Sequence, residues 1–431
     1  MAEYFGTDGI RGVAGEELTA RTAFALGNAL CRLRRAPLVV IGKDTRTSSD
    51  MLSLALAAGV CAGGGNVRDG GVLPTAAVAF FVRRLKADFG VVISASHNPP
   101  EFNGLKVFDA QGYKLSEKEE GRAERFFDEY AFASALRCGS FRTLSRRGDY
   151  AAFLASCCER PLSGKKFVLD CSNGAAGEIA PRVFAGLGAQ VYAIGRSRDG
   201  KKVNVGCGAL HPERMRQAVV ETGADAGFCY DGDADRLIAA DETGELVDGD
   251  KILYILAKYL KSCGRLPQNV VVGTAHTNTG IERALEKEGI ALMRSDVGDK
   301  YVSRQMRKSG AVLGGEQSGH MILSDYATTG DGILTSIKLA ELIMEEPLSR
   351  LAAVRLLPQV NASIRVQDKA RVLGKESVRS AIEAESANVA RIVVRASGTE
   401  PVVRIFAEAE SVSAARGAVE RVRRAIAAAE D

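Results

Sequence analysis

Short apolar runs alternate with amphipathic helical patterns along this chain, and the alternation restricts the fold to α/β classes. The pattern begins with a helix that Thr19 can cap, begins again after Tyr150, and begins a third time near Asp250. The predicted strands are 38–41, 89–93, 167–169, 191–194, 237–240, 270–272, 391–395 and 402–407. Further predicted helices are 50–62, 252–260, 280–288 and a closing helix with an apolar stripe of Val412, Ala415, Val419, Val422 and Ile426. We therefore expect three similar α/β units with mixed sheets, followed by a smaller C-terminal α+β unit.

The chain is too long for one ordinary domain. Its 431 residues suggest about three domains at roughly 150 residues each. We place the domains at 1–148, 149–248, 249–352 and 359–431. The segment 347–358 carries two prolines and no strand pattern, so it is predicted to be a linker.

Composition argues against several classes of function. The formal net charge is +4, Trp is absent and no long basic run occurs, which argues against a nucleic-acid partner. Nine scattered cysteines, including the adjacent Cys157 and Cys158, show no C-x-x-C spacing and fit a reducing compartment. The sequence has no signal-peptide pattern and no apolar run near the ~20 residues of a membrane span. We expect a cytoplasmic protein without a membrane partner.

The run DGDADR at 231–236 places three carboxylates at alternate positions after an apolar segment that predicts a buried strand. In an extended or gently turning segment these side chains lie on one side, where a divalent cation relieves their repulsion. Carboxylate oxygens are ligands that Mg²⁺ prefers. An EF-hand loop and a solvated acidic turn are alternatives, although Arg236 stands where an EF-hand needs glycine. The run therefore predicts a metal site formed by Asp231, Asp233 and Asp235.

The segment SASHNPP at 94–100 follows the predicted strand 89–93. Pro99 fixes its own φ and disfavours the helical region for Asn98, so the chain turns and presents the preceding side chains. A Ser96 hydroxyl held there is suited to be a nucleophile or a phosphate carrier, and its phosphate would add oxygen ligands for a metal. The alternative is a turn serine that caps a backbone amide. The acidic run, which can receive a phosphate, favours the first interpretation.

The segment GGEQSGH at 314–320 contains polar side chains suited to a sugar. Glu316 and Ser318 alternate, so both can face one ligand, and a carboxylate beside a hydroxyl matches vicinal sugar hydroxyls. The flanking glycines allow the backbone to approach closely. His320 could shuttle a proton near neutral pH, although a lone histidine is more often structural.

The segment RASGTEP that begins at Arg395 has the composition of a phosphate site. Arg395 ends a predicted strand, Gly398 lets backbone N–H groups converge, and Arg404 follows shortly after. Ser397 and Thr399 add donors, and guanidinium groups match phosphate oxygens in pairs. The alternative is a hairpin turn with an exposed arginine.

Together these loops resemble the α-D-phosphohexomutase superfamily over nearly the whole chain, from YFGTDGIRG at 4–12 to the Arg395 loop. Intermediate motifs agree, namely GKDTR (42–46), NGLK (103–106), HPE (211–213), VGDKYV (297–302) and TTGDG (328–332). Gln317 and the TTGDG run resemble the branch that acts on glucosamine phosphates. Two departures, AHTNT at 275–279 and AL at 209–210, lie outside the four loops.

The resemblance implies an isomerase that interconverts glucosamine 6-phosphate and glucosamine 1-phosphate, supplying amino-sugar nucleotide and cell-envelope biosynthesis. It implies a phosphoserine at Ser96, a sugar 1,6-bisphosphate intermediate and a central cleft over which the last unit closes. It also implies Mg²⁺ as cofactor, held by Asp231, Asp233, Asp235 and the Ser96 phosphate. The alternatives are a phosphomannomutase or phosphoglucomutase and a non-catalytic phosphosugar-binding protein. The oligomeric state stays open, with a homodimer as one option.

The resemblance also implies roles for individual positions. Arg11, Lys106 and His320 match residues near the transferred group, with Lys106 or His320 as candidate proton acceptor. The expected contacts to the sugar are Glu316 and Ser318. The expected contacts to the phosphate that is not reacting are Arg395, Ser397, Gly398, Thr399 and Arg404.

Overall fold

The computed structural model describes residues 4–6, 8–127, 135, 137–397 and 401–430. The chain forms two compact units, of which the first contains Met1–His276 and Gly289–Ala353 and the second contains Thr277–Glu288 and Val354–Asp431. Within the described residues, the first unit carries three sheets and the second carries one. None of the helices described there is long and apolar enough to cross a membrane.

A mixed six-stranded sheet forms the N-terminal part of the first unit. Its elements are β1 (Ile10–Val13), α1 (Ala20–Leu33), β2 (Leu38–Lys43), α2 (Ser49–Ala62), β3 (Asn66–Val72), α3 (Thr75–Leu85), β4 (Phe89–Ile93), β5 (Phe102–Phe108), α4 (Glu117–Glu124) and β6 (Phe141–Thr143). The strand order is β1-β5-β4-β2-β3-β6, with β2 parallel to β3 and β4, and β5 antiparallel to β1 and β4. Thr19 caps α1 by accepting from the Thr22 N–H, and Leu26 and Leu30 on its inner face are fully buried.

The second sheet has five strands and a similar topology. Its elements are α5 (Gly148–Ser156), β7 (Lys166–Asp170), α6 (Ala176–Gly186), β8 (Gln190–Ile194), α7 (Glu213–Thr222), β9 (Ala226–Tyr230), β10 (Leu237–Asp241) and β11 (Leu246–Val247). The order is β11-β10-β9-β7-β8, with β7 parallel to β8 and β9. Loops that follow β7 and β9 therefore emerge at the same edge, where α/β sheets place their ligands.

The third sheet completes the first unit. The elements of this region are α8 (Gly249–Ser262), β12 (Val270–Thr274), α9 (Thr279–Lys287), β13 (Ala291–Ser295), α10 (Asp299–Ser309), β14 (Leu313–Gly315), β15 (Met321–Leu323), α11 (Gly332–Ile343) and α12 (Leu348–Leu351). The strand order is β13-β12-β14-β15, in which only the β14–β15 pair is antiparallel. Helix α9 groups with the second unit. Helix α12 lies inside the segment predicted as a linker, and its Leu348 is buried.

The second unit is a three-stranded antiparallel sheet covered by helices. Its further elements are β16 (Gln359–Arg365), α13 (Lys369–Gly374), α14 (Glu376–Asn388), β17 (Arg391–Ala396), β18 (Val402–Glu408) and α15 (Val412–Glu430). The strand order is β16-β18-β17. Residues Ala415, Val419, Val422 and Ile426 of α15 are buried against the sheet, as the apolar stripe predicted. Val412 was wrongly included in that stripe, because it is the first helical residue and is 51% exposed.

The predicted fold class is confirmed. Three α/β regions with mixed sheets and a smaller α+β region are present, and each predicted strand forms, usually one or two residues longer than predicted. The sequence pattern missed β1, β3, β5, β6, β11, β13, β14, β15 and β16. Strand β3 contains Gly70 and Gly71, and β5 contains Asn103 and Gly104, residues that are depleted in strands.

Candidate active site

Ser96 lies in a tight turn directly after β4, and its side chain is buried. The Asn98 N–H closes the turn by donating to the Ala95 carbonyl oxygen at 3.1 Å. The Ser96 N–H donates to Ser94 Oγ at 2.9 Å. Ser96 has a φ of 54°, a left-handed conformation that costs a residue with a side chain about 1–2 kcal/mol. Neighbouring contacts must therefore hold this turn.

Two side chains to which the sequence pattern gave no role hold the turn by its carbonyl groups. Arg46 donates to the carbonyl oxygens of Ser96 and Asn98 at 2.9 and 2.7 Å. Asn204 Nδ2 donates to the same two oxygens at 2.8 and 3.0 Å. Asp44 accepts from Arg46 Nε at 2.8 Å, so the buried guanidinium is paired. The motif GKDTR pointed to Arg46, but its contact with the serine turn is visible only in three dimensions.

The acidic run follows β9 and folds into a turn that is sharper than the extended or gently turning segment predicted. An extended chain separates alternate residues by roughly 6.6 Å, whereas Ala234 at a φ of 57° bends this one. The ligand atoms of Asp231, Asp233 and Asp235 consequently lie within 4.8 Å of one another, all in buried side chains. Ser96 Oγ donates a hydrogen bond to Asp231 Oδ2. The predicted nucleophile and the predicted metal ligands lie together.

Lys106 on β5 gives the acidic turn a buried positive charge. Its Nζ donates to Asp233 Oδ2 at 2.8 Å and to Asp235 Oδ2 at 3.0 Å. Thr75, the first residue of α3, also donates its hydroxyl to Asp233 Oδ2, at 2.6 Å. Burial opposes the charged ammonium, but the carboxylates of Asp233, Asp235 and Asp8 outweigh burial and hold the pKa of Lys106 well above its ordinary value. Lys106 is therefore a fixed cation rather than a ready proton acceptor in this state.

The carboxylates of the turn differ in proton affinity. Burial raises the pKa of Asp231, and the negative charge of Asp235 raises it further. Burial alone would also raise the pKa of Asp235, but the Lys106 ammonium, together with His320 and Arg236, outweighs burial and lowers that pKa to about 2. The hydroxyl of Ser96 thus donates to the acid whose pKa is raised.

The acidic turn has the donor set of a divalent metal site. Buried Asp233 Oδ1 and Asp235 Oδ1 have no hydrogen-bond partner among the described residues, although both are strong acceptors. Three carboxylates offer hard oxygen ligands, and a cation would satisfy the two orphaned atoms. A metal site is therefore consistent with the residues present.

Arg11 and His320 lie in a network of alternating charges that reaches the acidic turn. Arg11 Nη1 donates to Asn98 Oδ1 at 3.2 Å, and its other terminal nitrogen pairs with Asp8. Lys114 pairs with both Asp8 and Asp299. His320 Nε2 lies 3.3 Å from Asp299 Oδ2, and this contact is not a hydrogen bond. The structure thus brings Arg11, Lys106 and His320 into one charged network with the turn.

The 314–320 loop packs on the start of β10, beside the acidic turn. Leu237 N–H donates to the Gly319 carbonyl at 3.0 Å, and a Cβ on Gly319, whose φ is 92°, would overlap the Leu237 carbonyl oxygen. Glu316 is buried and accepts from the Gly298 N–H at 3.0 Å, and burial raises its pKa. Ser318 is exposed. The two predicted sugar contacts therefore differ in environment, one buried carboxylate and one open hydroxyl.

The sheet of the second unit places two arginines at directly opposed positions. Arg395 on β17 pairs in register with Arg404 on β18, and both side chains are exposed. Like charges opposite each other are unfavourable unless an anion lies between or beside them. Ser397 is buried, and its carbonyl accepts from Lys369 Nζ at 2.6 Å. The predicted Gly398 and Thr399 lie outside the described residues.

His97 is a candidate that the sequence analysis missed, although it stands next to Ser96. Its Nδ1 lies 3.4 Å from Ser96 Oγ. Burial, followed by the positive charges of Arg236 and Arg11, lowers the pKa of His97 to about 4. A neutral imidazole beside the hydroxyl can accept its hydrogen bond. The adjacency of His97 to Ser96 in the sequence was the signal that could have identified it.

Comparison with known families covers the chain in four consecutive segments. Models of phosphoglucomutase/phosphomannomutase α/β/α domains I, II and III match residues 2–134, 149–244 and 248–356, and the C-terminal domain model matches 359–425. The chain belongs to the phosphoglucomutase/phosphomannomutase family. Membership confirms the predicted resemblance to α-D-phosphohexomutases and the predicted enzyme class, an isomerase.

Individual relatives narrow the position within this family. The phosphoglucosamine mutase of Carboxydothermus hydrogenoformans is 45% identical over 422 residues, which is 95% of each chain. A phosphoglucomutase/phosphomannomutase family protein of Burkholderia thailandensis is 26% identical, with a TM-score of 0.85 over 100% of this chain and 98% of that one. N-acetylphosphoglucosamine mutase of Aspergillus fumigatus, solved with GlcNAc-6P and magnesium, has the same fold at 17% identity, with a TM-score of 0.70 over 100% and 96% of the two chains.

Proposed function

We propose that this chain interconverts glucosamine 6-phosphate and glucosamine 1-phosphate, with Ser96 as the phosphoryl carrier. The observation that carries the proposal is the hydrogen bond from Ser96 Oγ to Asp231 of the buried acidic turn. A hydroxyl held against three carboxylates that can bind one cation is suited to carry a phosphoryl group. The 45% identity to a phosphoglucosamine mutase supports the choice of sugar.

The reaction has two balanced transfers. The phosphoryl group of phosphorylated Ser96 passes to the free 1-hydroxyl of glucosamine 6-phosphate; the Ser–O–P bond breaks and the hydroxyl proton leaves with a base. The resulting 1,6-bisphosphate turns round and returns its 6-phosphoryl group to Ser96, and the 6-oxygen recovers a proton. Glucosamine 1-phosphate is released and the phosphoserine is regenerated. Because phosphoryl transfer needs little covalent help, positioning and charge provide most of the acceleration.

The residues of the first unit divide these tasks. Arg46 and Asn204 fix the backbone of the serine turn, so the phosphoryl group is presented in one direction. Arg11, which already donates to Asn98 in that turn, offers its guanidinium to the transferred oxygens. Lys106 holds its proton firmly, so we assign it charge stabilisation and assign proton transfer to His320. His320 Nδ1 and Nε2 are buried, and no residue in the described part of the chain hydrogen-bonds to them.

Asp231, Asp233 and Asp235 would hold the cation, and we propose Mg²⁺. When bound, Mg²⁺ would supply positive charge to the phosphoryl oxygens of Ser96. Oxygen-only ligands suit Mg²⁺ and Mn²⁺ alike, and the magnesium in the fungal relative supports the first. Substitution of the metal in an activity assay tests the choice.

Glu316 and Ser318 are proposed to bind the sugar hydroxyls, and the opposed Arg395 and Arg404 to bind the phosphate that is not reacting, together with Ser397, Gly398 and Thr399. Either end of the bisphosphate must be held while the other end reacts, so a single arginine site can serve both half-reactions. We further propose the domain boundaries given above and a cytoplasmic location.

A second candidate is a phosphomannomutase or phosphoglucomutase, which the description of the matching family models favours. Measurement of kcat/KM with glucosamine 6-phosphate, glucose 6-phosphate and mannose 6-phosphate separates the two. We expect glucosamine 6-phosphate to be preferred by at least about tenfold, a difference of roughly 1.4 kcal/mol in transition-state stabilisation. Equal or reversed values would transfer the proposal to the second candidate.

A further inference from the structure

A cavity of about 430 Å³ lies in the first unit, and the three aspartates of the acidic turn do not line it. Its walls come from three regions of the chain, namely α3, α5 and the segment 325–331. The volume is within the usual range of small-molecule sites, roughly 300–1,000 Å³. Within the part of the chain that the structure describes, none of the proposed catalytic or substrate-binding residues lines it.

The lining of this cavity combines aromatic walls with two arginines and two aspartates, of which Asp325 pairs with Arg265 at 3.4 Å and Asp331 accepts from the Tyr150 hydroxyl. Phe80 and Phe153 stack with ring centroids 5.0 Å apart, and Tyr326 adds a third ring. Arg83 and Arg84 are exposed at the end of α3. Rings favour a planar, polarisable group, and guanidinium groups favour an anion such as phosphate. The chemistry fits a ligand that carries both, of the nucleoside-phosphate class.

The floor of the cavity consists of buried side chains that hydrogen-bond to one another. Asp331 and Tyr150 are fully or almost fully buried, and the Tyr150 hydroxyl donates to Asp331 Oδ2 at 2.7 Å. Asp331 also caps α11 by accepting from the Leu334 N–H at 2.9 Å. Because these polar atoms satisfy one another, the floor does not demand a further polar ligand group, and recognition falls to the rings and the arginines.

Two walls of the cavity lead directly to groups in the proposed active site. Helix α3 begins at Thr75, whose hydroxyl donates to Asp233 Oδ2 and whose N–H donates to the Asp233 carbonyl at 2.9 Å. The segment 325–331 contains Gly330, which packs so closely on the His320 ring that a Cβ would overlap it. A small shift of either wall therefore changes the position of Asp233 or of His320.

We propose that this cavity is an effector site for a nucleoside phosphate, and that its occupation lowers kcat through Thr75 and Gly330. The predicted effect on kcat rests on the proposed mutase function, whereas the predicted binding of the nucleotide does not. Since Glu316, Ser318 and the arginines of the second unit are not on these walls, KM for the phosphosugar is expected to stay within about twofold.

Calorimetry on the full chain tests binding independently of activity. The probes are UMP and AMP, with ribose 5-phosphate as the anion without a base and uridine as the base without an anion. We expect at least one nucleotide to bind more tightly than about 1 mM, and both truncated probes to bind at least about tenfold more weakly. Absence of nucleotide binding at that concentration, or equal binding of ribose 5-phosphate, would overturn the proposal.

Two variants of cavity residues test whether the nucleotide binds in the cavity or elsewhere on the surface. The double variant Arg83→Ala/Arg84→Ala should weaken nucleotide binding by about tenfold or more, whereas Arg21→Ala, an exposed arginine of α1, should leave it unchanged. Ala327→Phe should block the cavity by filling it. Unchanged affinity in both cavity variants would contradict the location.

Steady-state kinetics with and without nucleotide test the predicted effect on kcat. Saturating nucleotide should lower kcat of the unmodified enzyme and should not lower kcat of the Arg83→Ala/Arg84→Ala variant. Binding without any change in kcat would contradict the coupling through Thr75 and Gly330. An enzyme that lacks mutase activity but still binds nucleotide would instead contradict the proposed function.

Discussion

The serine–aspartate region of the first unit and the arginine pair of the second unit handle charge in opposite ways. Ser96, Asp231 and Lys106 are almost completely buried, and hydrogen bonds join Ser96 to Asp231 and Lys106 to Asp233. Arg395 and Arg404 stand exposed on one sheet, at opposed positions. The first region is built from loops of several strands, whereas the second lies on two adjacent antiparallel strands.

This difference in burial predicts which kinetic constant each region controls. A buried charge is screened little by water, so a change there disturbs the reacting groups strongly and cannot relax. An exposed guanidinium is solvated whether or not a ligand is bound, so its removal costs ligand contacts but leaves the unit folded. We expect substitutions in the first region to lower kcat and substitutions in the second to raise KM.

Replacement of Ser96 should have the largest effect. Ser96→Ala removes the oxygen that carries the phosphoryl group, so kcat is expected to fall on the order of 10⁴-fold or more, and phosphate incorporation from a sugar 1,6-bisphosphate should disappear. Steady-state kinetics and intact-mass measurement report the two effects. Ser156→Ala, at an exposed serine of α5, is the matched control and should behave as the unmodified chain. Retention of more than a few per cent of activity in Ser96→Ala would refute the carrier role.

Asp233→Asn should come next. The change removes one charge from the proposed metal site and weakens the contacts to Thr75 and Lys106, so kcat should fall by about 10²–10³-fold and half-activation should need more Mg²⁺. A magnesium titration of the initial rate measures both. Asp199→Asn, an exposed cap of a short helix, is the control. An unaltered titration curve in Asp233→Asn would place the cation elsewhere.

The arginine pair should give a smaller effect of a different kind. Arg395→Ala removes a charge-assisted contact of about 1.5–3 kcal/mol, so KM for the phosphosugar should rise by roughly 10–100-fold while kcat changes little. Arg365→Ala is a matched control, since this arginine is exposed on β16 of the same sheet. A fall in kcat with unchanged KM would contradict the contrast between the two regions.

The sequence predicted the strands and the four loops because both have local signals. Apolar runs of five residues, such as β4 and β9, are typical of buried strands. Spacing could not pair Ser96 with Asp231, because 135 residues separate them. Complementary chemistry, a phosphate carrier and a metal site, and the family resemblance were the signals that linked them. Their hydrogen bond follows from the packing of two different sheets.

The rest of the site could not be predicted, because it depends on contacts between backbone groups and distant side chains. Arg46 and Asn204 recognise carbonyl oxygens in the serine turn, and any residue would present those oxygens. Likewise, the two sugar-loop residues Glu316 and Ser318 look equivalent in sequence, yet one is buried and the other exposed. Local patterns specify which groups are present and not which of them water can reach.

Asp331 is buried but is not among the proposed catalytic residues. Its substitution should therefore have the smallest effect on turnover. Burial raises its pKa to about 6, although hydrogen bonds from the Leu334 N–H and the Tyr150 hydroxyl oppose the rise. A carboxyl whose pKa is higher in the folded state stabilises the fold fully below its unfolded pKa, near 4, and this stabilisation is lost as pH rises through about 6. At neutral pH the ionised Asp331 therefore destabilises the folded state by roughly 3 kcal/mol relative to acid conditions.

Asp331→Asn abolishes that titration while it keeps an oxygen that can cap α11. The free energy of unfolding of the variant, relative to the unmodified chain, should increase by roughly 2–3 kcal/mol between about pH 4 and pH 7. Urea denaturation at several pH values measures the difference, and kcat should change less than about threefold. A pH-independent difference would show that Asp331 does not titrate in this range. A large loss of kcat would mean that burial alone, without contact to the reacting groups, is enough to control turnover, and the contrast between the two regions would then need another cause.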